Sequence, residues 1–175
     1  MYLIGTAHRF DAAHLVPTAA PGLHGHTFTV IARLSAESLH APGFVVDFGA
    51  LKGLAHYIDA TFDHRNLNEV LGGAATGEDV AAHLFRWCAS KLDLPKGVVL
   101  DGIDVHEGRT AGDDPPSGCW RRRFEAAHHL PGLGDGHKCT RVHGHTYRVF
   151  AVPDGRRDAD MPRLGEVFAP LDQYL

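Results

Sequence analysis

The sequence predicts an α+β fold built as one near-complete unit followed by a partial repeat of its opening. Three observations carry this expectation. Residues 24–34 and 98–107 alternate apolar and polar side chains and are rich in β-branched and aromatic types, the pattern of half-buried strands. Residues 48–62 and 77–92 instead space their apolar side chains at helical intervals. Two histidine motifs are each written twice, FDAAH with LHGH near the start and FEAAH with VHGH after residue 119.

Taken in order, residues 1–14 read as a strand that runs into the turn-rich stretch PTAAPG. HGHTFTVIARL, residues 24–34, is the second strand. A connection containing Pro42 and Gly43 leads to FVVDF, where Asp47 stands as the N-cap of a helix carrying Leu51, Leu54, Ala55 and Ile58 on one face. FDHRNLNEV, residues 62–70, breaks the helical period and reads as a polar loop. Thr76 is placed to cap a second helix over residues 77–92, and VVLDGIDVHE is the closing strand. TAGDDPPSG is a turn or linker, after which the pattern restarts: CWRRRFEAAHHL as a strand, GHKCTR as a loop, HGHTYRVFAV as a strand, and MPRLGEVFAPLDQYL as the start of a helix. The predicted division is residues 1–118 and 119–175. The second piece has too little core to fold alone and should pack on the first or on another chain.

Composition narrows the function. The chain has 175 residues, 44% hydrophobic and 22% charged, as expected of a globular protein. Its net charge of −4 and the brevity of its longest basic run, Arg121–Arg123, argue against nucleic acid as a partner. No segment has the apolar length of a membrane helix, and no signal peptide is visible. Cys88, Cys119 and Cys139 form neither a CxxC pair nor an even set, so a reducing, cytoplasmic setting is expected. Histidine, at 14 residues and mostly clustered, is the anomaly.

In a strand, residues i and i+2 share a face, so His24 and His26 project together, as do His143 and His145. The intervening Gly25 or Gly144 points the other way and leaves room for close backbone packing. An antiparallel pairing would bring His14, or His128, level with each pair. Three neutral imidazoles make a tetrahedral zinc site with one open position, although iron, copper and nickel also accept such ligands. Ordinary hydrogen-bonded histidines are the competing reading of a lone HxH; the duplication argues against it. His129 competes with His128 for the third position, and the register of the two FxAAH motifs favours His128. Cys139 precedes His143 by four residues and reads either as a proton-transfer thiol or as a fourth ligand that closes the site. Asp63 and His64 read as an oriented acid–base pair or as exposed helix-end chemistry. Glu107 is a strand-end carboxylate suited to bidentate recognition of a planar N–C–N edge, or simply an exposed charge.

These pieces, in this order, resemble the 6-pyruvoyl-tetrahydropterin synthase and 6-carboxy-tetrahydropterin synthase family. Residues 10–107 match its pattern through FDAAH, LHGHTF, GFVVDF, FDHRNLN, ATGED and VHEG, and residues 124–147 match the opening half more strictly. The spacing of Cys139 and His143 looks most like the 6-carboxy-tetrahydropterin branch of queuosine precursor synthesis. The resemblance implies the tunnelling fold, an antiparallel sheet backed by two helices that forms a homo-oligomer through its sheet edges. It implies zinc as cofactor, 7,8-dihydroneopterin triphosphate as substrate, and lyase chemistry. Carried over by residue, zinc falls to His14, His24 and His26, and again to His128, His143 and His145. The thiol role falls to Cys139, the proton-relay pair to Asp63 and His64, and pterin contacts to Glu107 and Thr76. The first unit has Ala20 where the family has its Cys, and the second lacks the DHxxLN and Glu segments. A complete set therefore requires a composite of the two units. The alternatives are a zinc- and pterin-binding protein without turnover, a 6-pyruvoyl-tetrahydropterin synthase, or an aldolase-type enzyme of the same fold.

Overall fold

The structure, a computed structural model, describes residues 1–16, 22–40, 43–108, 120–131 and 136–151. The expected terminal helix, most of PTAAPG, the 109–119 linker and Cys119 lie outside the described residues.

Strand β1 (Tyr2–His14) pairs antiparallel with β2 (His24–Ala36) along its whole length, from Tyr2 opposite Ala36 to His14 opposite His24. Strand β4 (Val98–Glu107) lies on the other side of β2, with one register shift between Arg33 and Leu34. A two-residue strand β3 (Arg65–Asn66) flanks β1, so the sheet order is β3-β1-β2-β4.

Helices supply the cover. Asp47 does cap the predicted helix, accepting a hydrogen bond from the Gly49 amide at 2.6 Å, but the first turn, Phe48–Leu51, is a 3-10 turn before α1 (Lys52–Thr61). Helix α3 (Gly77–Lys91) opens on a capping box in which Thr76 and Asp79 satisfy each other's backbone amides. Leu54, Ile58, Val80 and Leu84 pack onto Phe10, Phe28, Val30 and Leu34. Phe10 stacks on Phe28 at 5.0 Å and meets Phe62 at 5.7 Å, which closes the core at the histidine end of β1 and β2.

The predicted loop at residues 62–70 is more ordered than its sequence suggests. Arg65–Asn66 forms the short β3, parallel to Ala12–Ala13, and Asn66 caps the five-residue α2 (Leu67–Leu71). Pairing with a distant strand, and burial of Leu67, decide the structure here; neither leaves a local period.

The second unit contributes β5 (Trp120–His128) and β6 (His143–Ala151), an antiparallel ribbon with His128 opposite His143. It packs against β1 and β2 rather than standing apart. The crossing occurs at the two glycines of the HGH motifs: a Cβ on either would fall inside the backbone of the other. Thr27 N–H donates to Thr146 Oγ1 at 3.1 Å, and Thr146 N–H to Thr27 Oγ1 at 3.4 Å. The two copies thus meet residue to counterpart, as in an isologous contact. Among the described residues, no helix is long and apolar enough to cross a membrane.

Candidate active site

The first histidine set lies where β1 ends and β2 begins. His14, His24 and His26 are buried, with ring centroids 4.7 to 5.0 Å apart. Each Nδ1 faces an acceptor. That of His14 donates to the Ala75 carbonyl at 2.5 Å, and that of His24 to the Gly22 carbonyl at 3.2 Å. His26 Nδ1 lies 2.5 Å from Glu125 Oε2, a carboxylate of the second unit, though off the straight hydrogen-bond line. A carbonyl can only accept, so its histidine carries a proton on Nδ1, and in the neutral ring the lone pair is then on Nε2. Nε2 of His14 and of His26 are buried without a hydrogen-bond partner among the described residues. Burial pushes the pKa of His14 down to about 4, so the ring is neutral near pH 7. Outward-anchored Nδ1 atoms and donor atoms all within 4.8 Å of one another are what a three-histidine metal site needs.

The second set repeats this logic. His143 Nδ1 donates to the Arg141 carbonyl at 2.7 Å, two residues back, as His24 does to Gly22. His145 Nδ1 lies 3.1 Å from Asp11 Oδ2, as His26 lies beside Glu125. His128 Nδ1 meets the Tyr147 hydroxyl at 3.1 Å, standing where His14 uses Ala75. His128 Nε2 and His143 Nε2 are 3.2 Å apart. Two nitrogens on one tetrahedral zinc ion would be separated by about 3.3 Å. Burial pushes His143 down to about 4 as well. The compact donor set here, however, is His64, His143 and His145 within 4.8 Å, with His128 beside it. His64 stacks on His143 at 4.0 Å, a proximity that sequence order does not reveal.

Asp63 and His64 reach this second set under restraint. His64 has φ of 55°, an unusual conformation for a residue with a side chain. Its amide donates to the Asp11 carbonyl at 2.6 Å, and its carbonyl accepts from Arg141 Nε at 3.1 Å. Asp63 Oδ1 lies 2.9 Å from His64 Nδ1, likewise off the straight hydrogen-bond line, and Oδ2 accepts from Lys138 Nζ at 2.7 Å. Burial would raise the Asp63 pKa, but Lys138, the Asp11 amide and His64 outweigh it and hold the carboxyl below its ordinary range.

Cys139 is a half-buried free thiol in the 3-10 turn Lys138–Thr140, whose start is capped by His137. Its neighbours Lys138 and Arg141 touch Asp63 and His64. No hydrogen bond among the described residues joins the Cys139 thiol itself to His64.

Glu107 and Thr76 lie elsewhere. With His14, His24, Val16 and His106 they line a cavity of ≈ 420 Å³ at the first set. Glu107 Oε2 is 3.9 Å from His26 Nε2. The Thr76 hydroxyl is engaged by Asp79, donating to Oδ2 at 2.7 Å and accepting from its amide at 3.2 Å. The residues predicted for one composite site are therefore divided. Glu107 and Thr76 accompany His14, His24 and His26; Asp63, His64 and the Cys139 turn accompany His143 and His145. Sequence reasoning missed Asp11, Glu125, Lys138, Arg141 and Tyr147. An acid at the same place in both FxAAH copies was the signal for the first two.

A sequence model described as 6-pyruvoyl tetrahydropterin synthase matches residues 3–113 and 118–165. The chain is similar to the dihydroneopterin monophosphate aldolase of Pyrococcus furiosus, 34% identical over 106 residues, covering 59% of this chain and 87% of that protein. It is similar to the 6-carboxy-5,6,7,8-tetrahydropterin synthase of Rickettsia typhi, 39% identical over 121 residues, covering 56% and 88%. The Bacillus subtilis enzyme of that name matches at 39% over 63 residues, 34% of this chain and 41% of the relative. Among solved structures, the Caenorhabditis elegans 6-pyruvoyl tetrahydropterin synthase aligns with a TM-score of 0.47 at 23% identity, over 62% of this chain and 96% of that one. With both histidine motifs inside the matched stretches, the chain belongs to the 6-pyruvoyl tetrahydropterin synthase family, and its α+β architecture is that family's tunnelling fold.

Proposed function

We propose that the protein is a zinc-dependent lyase that converts 7,8-dihydroneopterin triphosphate to a 6-substituted tetrahydropterin, 6-carboxy-tetrahydropterin foremost, in the cytoplasm. The observation that carries the reading is the gathering of Asp63, His64 and the Cys139 turn, from different units, around His143 and His145. His14, His24 and His26 would hold one metal ion, and His143 and His145 with His128 a second. Zinc supplies Lewis-acid polarisation of substrate oxygens when bound. The chain's own groups do the rest. Asp63 orients His64 through Nδ1 and leaves Nε2 to take up or deliver a proton. Cys139 is the second proton-transfer group. Glu107 accepts paired N–H donors from the pterin edge, as carboxylates do in bidentate recognition. Because Glu107 and Cys139 accompany different histidine sets, a homo-oligomer joined through sheet edges is part of the proposal; exposed Tyr2, Leu3 and Val99 support it.

A specific observation favours one other reading. The first unit has a cavity, three histidines and Glu107 but Ala20 in place of the Cys, and the Pyrococcus furiosus relative is named an aldolase. An aldolase-type reaction at that cavity would need no Cys139. Incubating the zinc-loaded protein with dihydroneopterin triphosphate, and in parallel the monophosphate, while following products by mass spectrometry separates the readings. A 6-carboxy or 6-pyruvoyl product lost in Cys139→Ala supports the lyase. Pterin binding without turnover sinks it, and turnover of the monophosphate that survives Cys139→Ala supports the aldolase.

A further inference from the structure

We propose that Asp11 and Glu125, the acidic residues of the two FxAAH motifs, are crossed positioning residues: each orients the second histidine of the HxH pair in the opposite unit, so that the two metal-binding sets are interlocked. The inference rests on the metal-binding part of the reading above and not on the lyase reaction.

The arrangement is reciprocal. Asp11, on β1, puts Oδ2 3.1 Å from His145 Nδ1, on β6. Glu125, on β5, puts Oε2 2.5 Å from His26 Nδ1, on β2. In both cases the other oxygen is held by the acid's own unit. Asp11 Oδ1 accepts from Thr27 Oγ1 at 2.6 Å, and Glu125 Oε1 pairs with Arg123. Each carboxylate is thus anchored at home by one oxygen and reaches across with the other. Room for the crossing comes from glycine. Gly25 and Gly144 let the strands touch, and a Cβ on Gly108 would overlap the Arg123 and Glu125 side chains.

The chemistry of this contact is specific. A carboxylate on Nδ1 fixes the ring's orientation, holds the proton away from Nε2 and makes Nε2 a better donor to a cation. The second histidine of each HxH pair, His26 or His145, is the member of its set that meets a carboxylate of the opposite unit; the other members use carbonyls or, for His128, Tyr147. Metal affinity in one unit should therefore fall when the acid of the other unit is neutralised. The two contacts are not equal. The Glu125 side chain is 15% exposed and Asp11 27%, so the Glu125 contact is the better shielded and its loss should cost more.

The test reads metal affinity site by site on the full chain. Two backgrounds leave one set intact, His143→Ala preserving the first and His24→Ala the second. Glu125→Gln and Asp11→Asn are placed in each, and zinc affinity is measured by chelator competition, with cobalt absorption as a second readout. In the background with only His14, His24 and His26, Glu125→Gln should weaken binding about 10- to 100-fold, and Asp11→Asn by less than about twofold. In the other background the order should reverse. If each acid instead affects the set of its own unit, or neither moves affinity by more than about twofold, the proposal is overturned. Metal-free thermal unfolding of the same variants guards against simple misfolding. If Glu125→Gln melts early and weakens both sets together, the acid is a structural contact and the crossed role is wrong. Affinity is measured without substrate, so a crossed pattern can stand even where no lyase product forms.

Discussion

Replacing Gly25 with alanine tests the crossing of the two motif copies through the sign of its effect. In a strand that crossed nothing, the change would be favourable by about 0.5–1 kcal/mol, because glycine has more backbone freedom to lose on folding. In this fold the added Cβ would lie deep inside van der Waals contact of the Gly144 backbone and 2.9 Å from the Ala12 carbonyl oxygen. Both obstacles are backbone atoms of paired strands, so no side chain can swing aside. Non-bonded carbons need about 3.5–4.0 Å, so β2 and β6 must part by roughly 1 Å or more. That movement takes the Thr27–Thr146 bonds, at 3.1 and 3.4 Å, beyond hydrogen-bonding range. Overpacking costs about 1–3 kcal/mol and the two lost bonds about 1 kcal/mol each. After the intrinsic gain is subtracted, Gly25→Ala should destabilise the chain by about 2–4 kcal/mol, a large share of a typical domain's stability. Urea unfolding with and without zinc measures this, and Gly144→Ala should behave alike. A Gly25→Ala protein as stable as the parent, or more so, would refute the crossing.

Three other contacts give measurable outcomes. In the metal-free protein, burial holds His14 near a pKa of about 4, whereas the unfolded chain protonates it near the ordinary value of 6.5. Its contribution is thus complete above about pH 6.5 and lost as the pH falls toward 4, so a urea series with chelator should show about 2 kcal/mol lost from this residue between pH 7 and pH 5. Lys138→Met removes the cation from Asp63; a carboxylate with a lowered pKa stabilises the fold above its ordinary range, so acid unfolding followed by circular dichroism should shift to higher pH. Lys138 is 54% exposed, and the effect should stay within about 1 kcal/mol. Thr76→Ala should lower stability by about 1 kcal/mol through loss of the α3 capping box, while Thr76→Ser keeps it; a pterin-binding defect shared by both variants would place the threonine methyl against the ligand.

Local periodicity made most elements legible. Residues 2–14, 24–36, 77–91 and 98–107 formed the expected strands and helix because one face of each is buried in a single core. The stretch from residue 62 to 70 was not legible. Its short β3 exists through pairing with Ala12 and Ala13, and Leu67 is buried by packing, neither of which alters the local pattern. The histidine triplets could be read because strand alternation fixes which side chains share a face. Which other groups stand beside them could not, because that depends on how β5 and β6 dock on β1 and β2. His64 joins His143 and His145, while Glu107 stays at His14 and His24.

The docking nevertheless left a trace in the sequence. A two-fold contact places each residue opposite its own counterpart, so any group that works across it must occur on both sides. Gly25 touches Gly144, Thr27 exchanges bonds with Thr146, and Asp11 and Glu125 take each other's histidines. A motif written twice in one chain is therefore more than two sites of the same kind. The glycine between the histidines has no metal to hold, and the acid before AAH has no ligand position in its own triplet. Their presence in both copies matches what each copy meets in the other: a glycine against a glycine, and an acid against the opposite histidine.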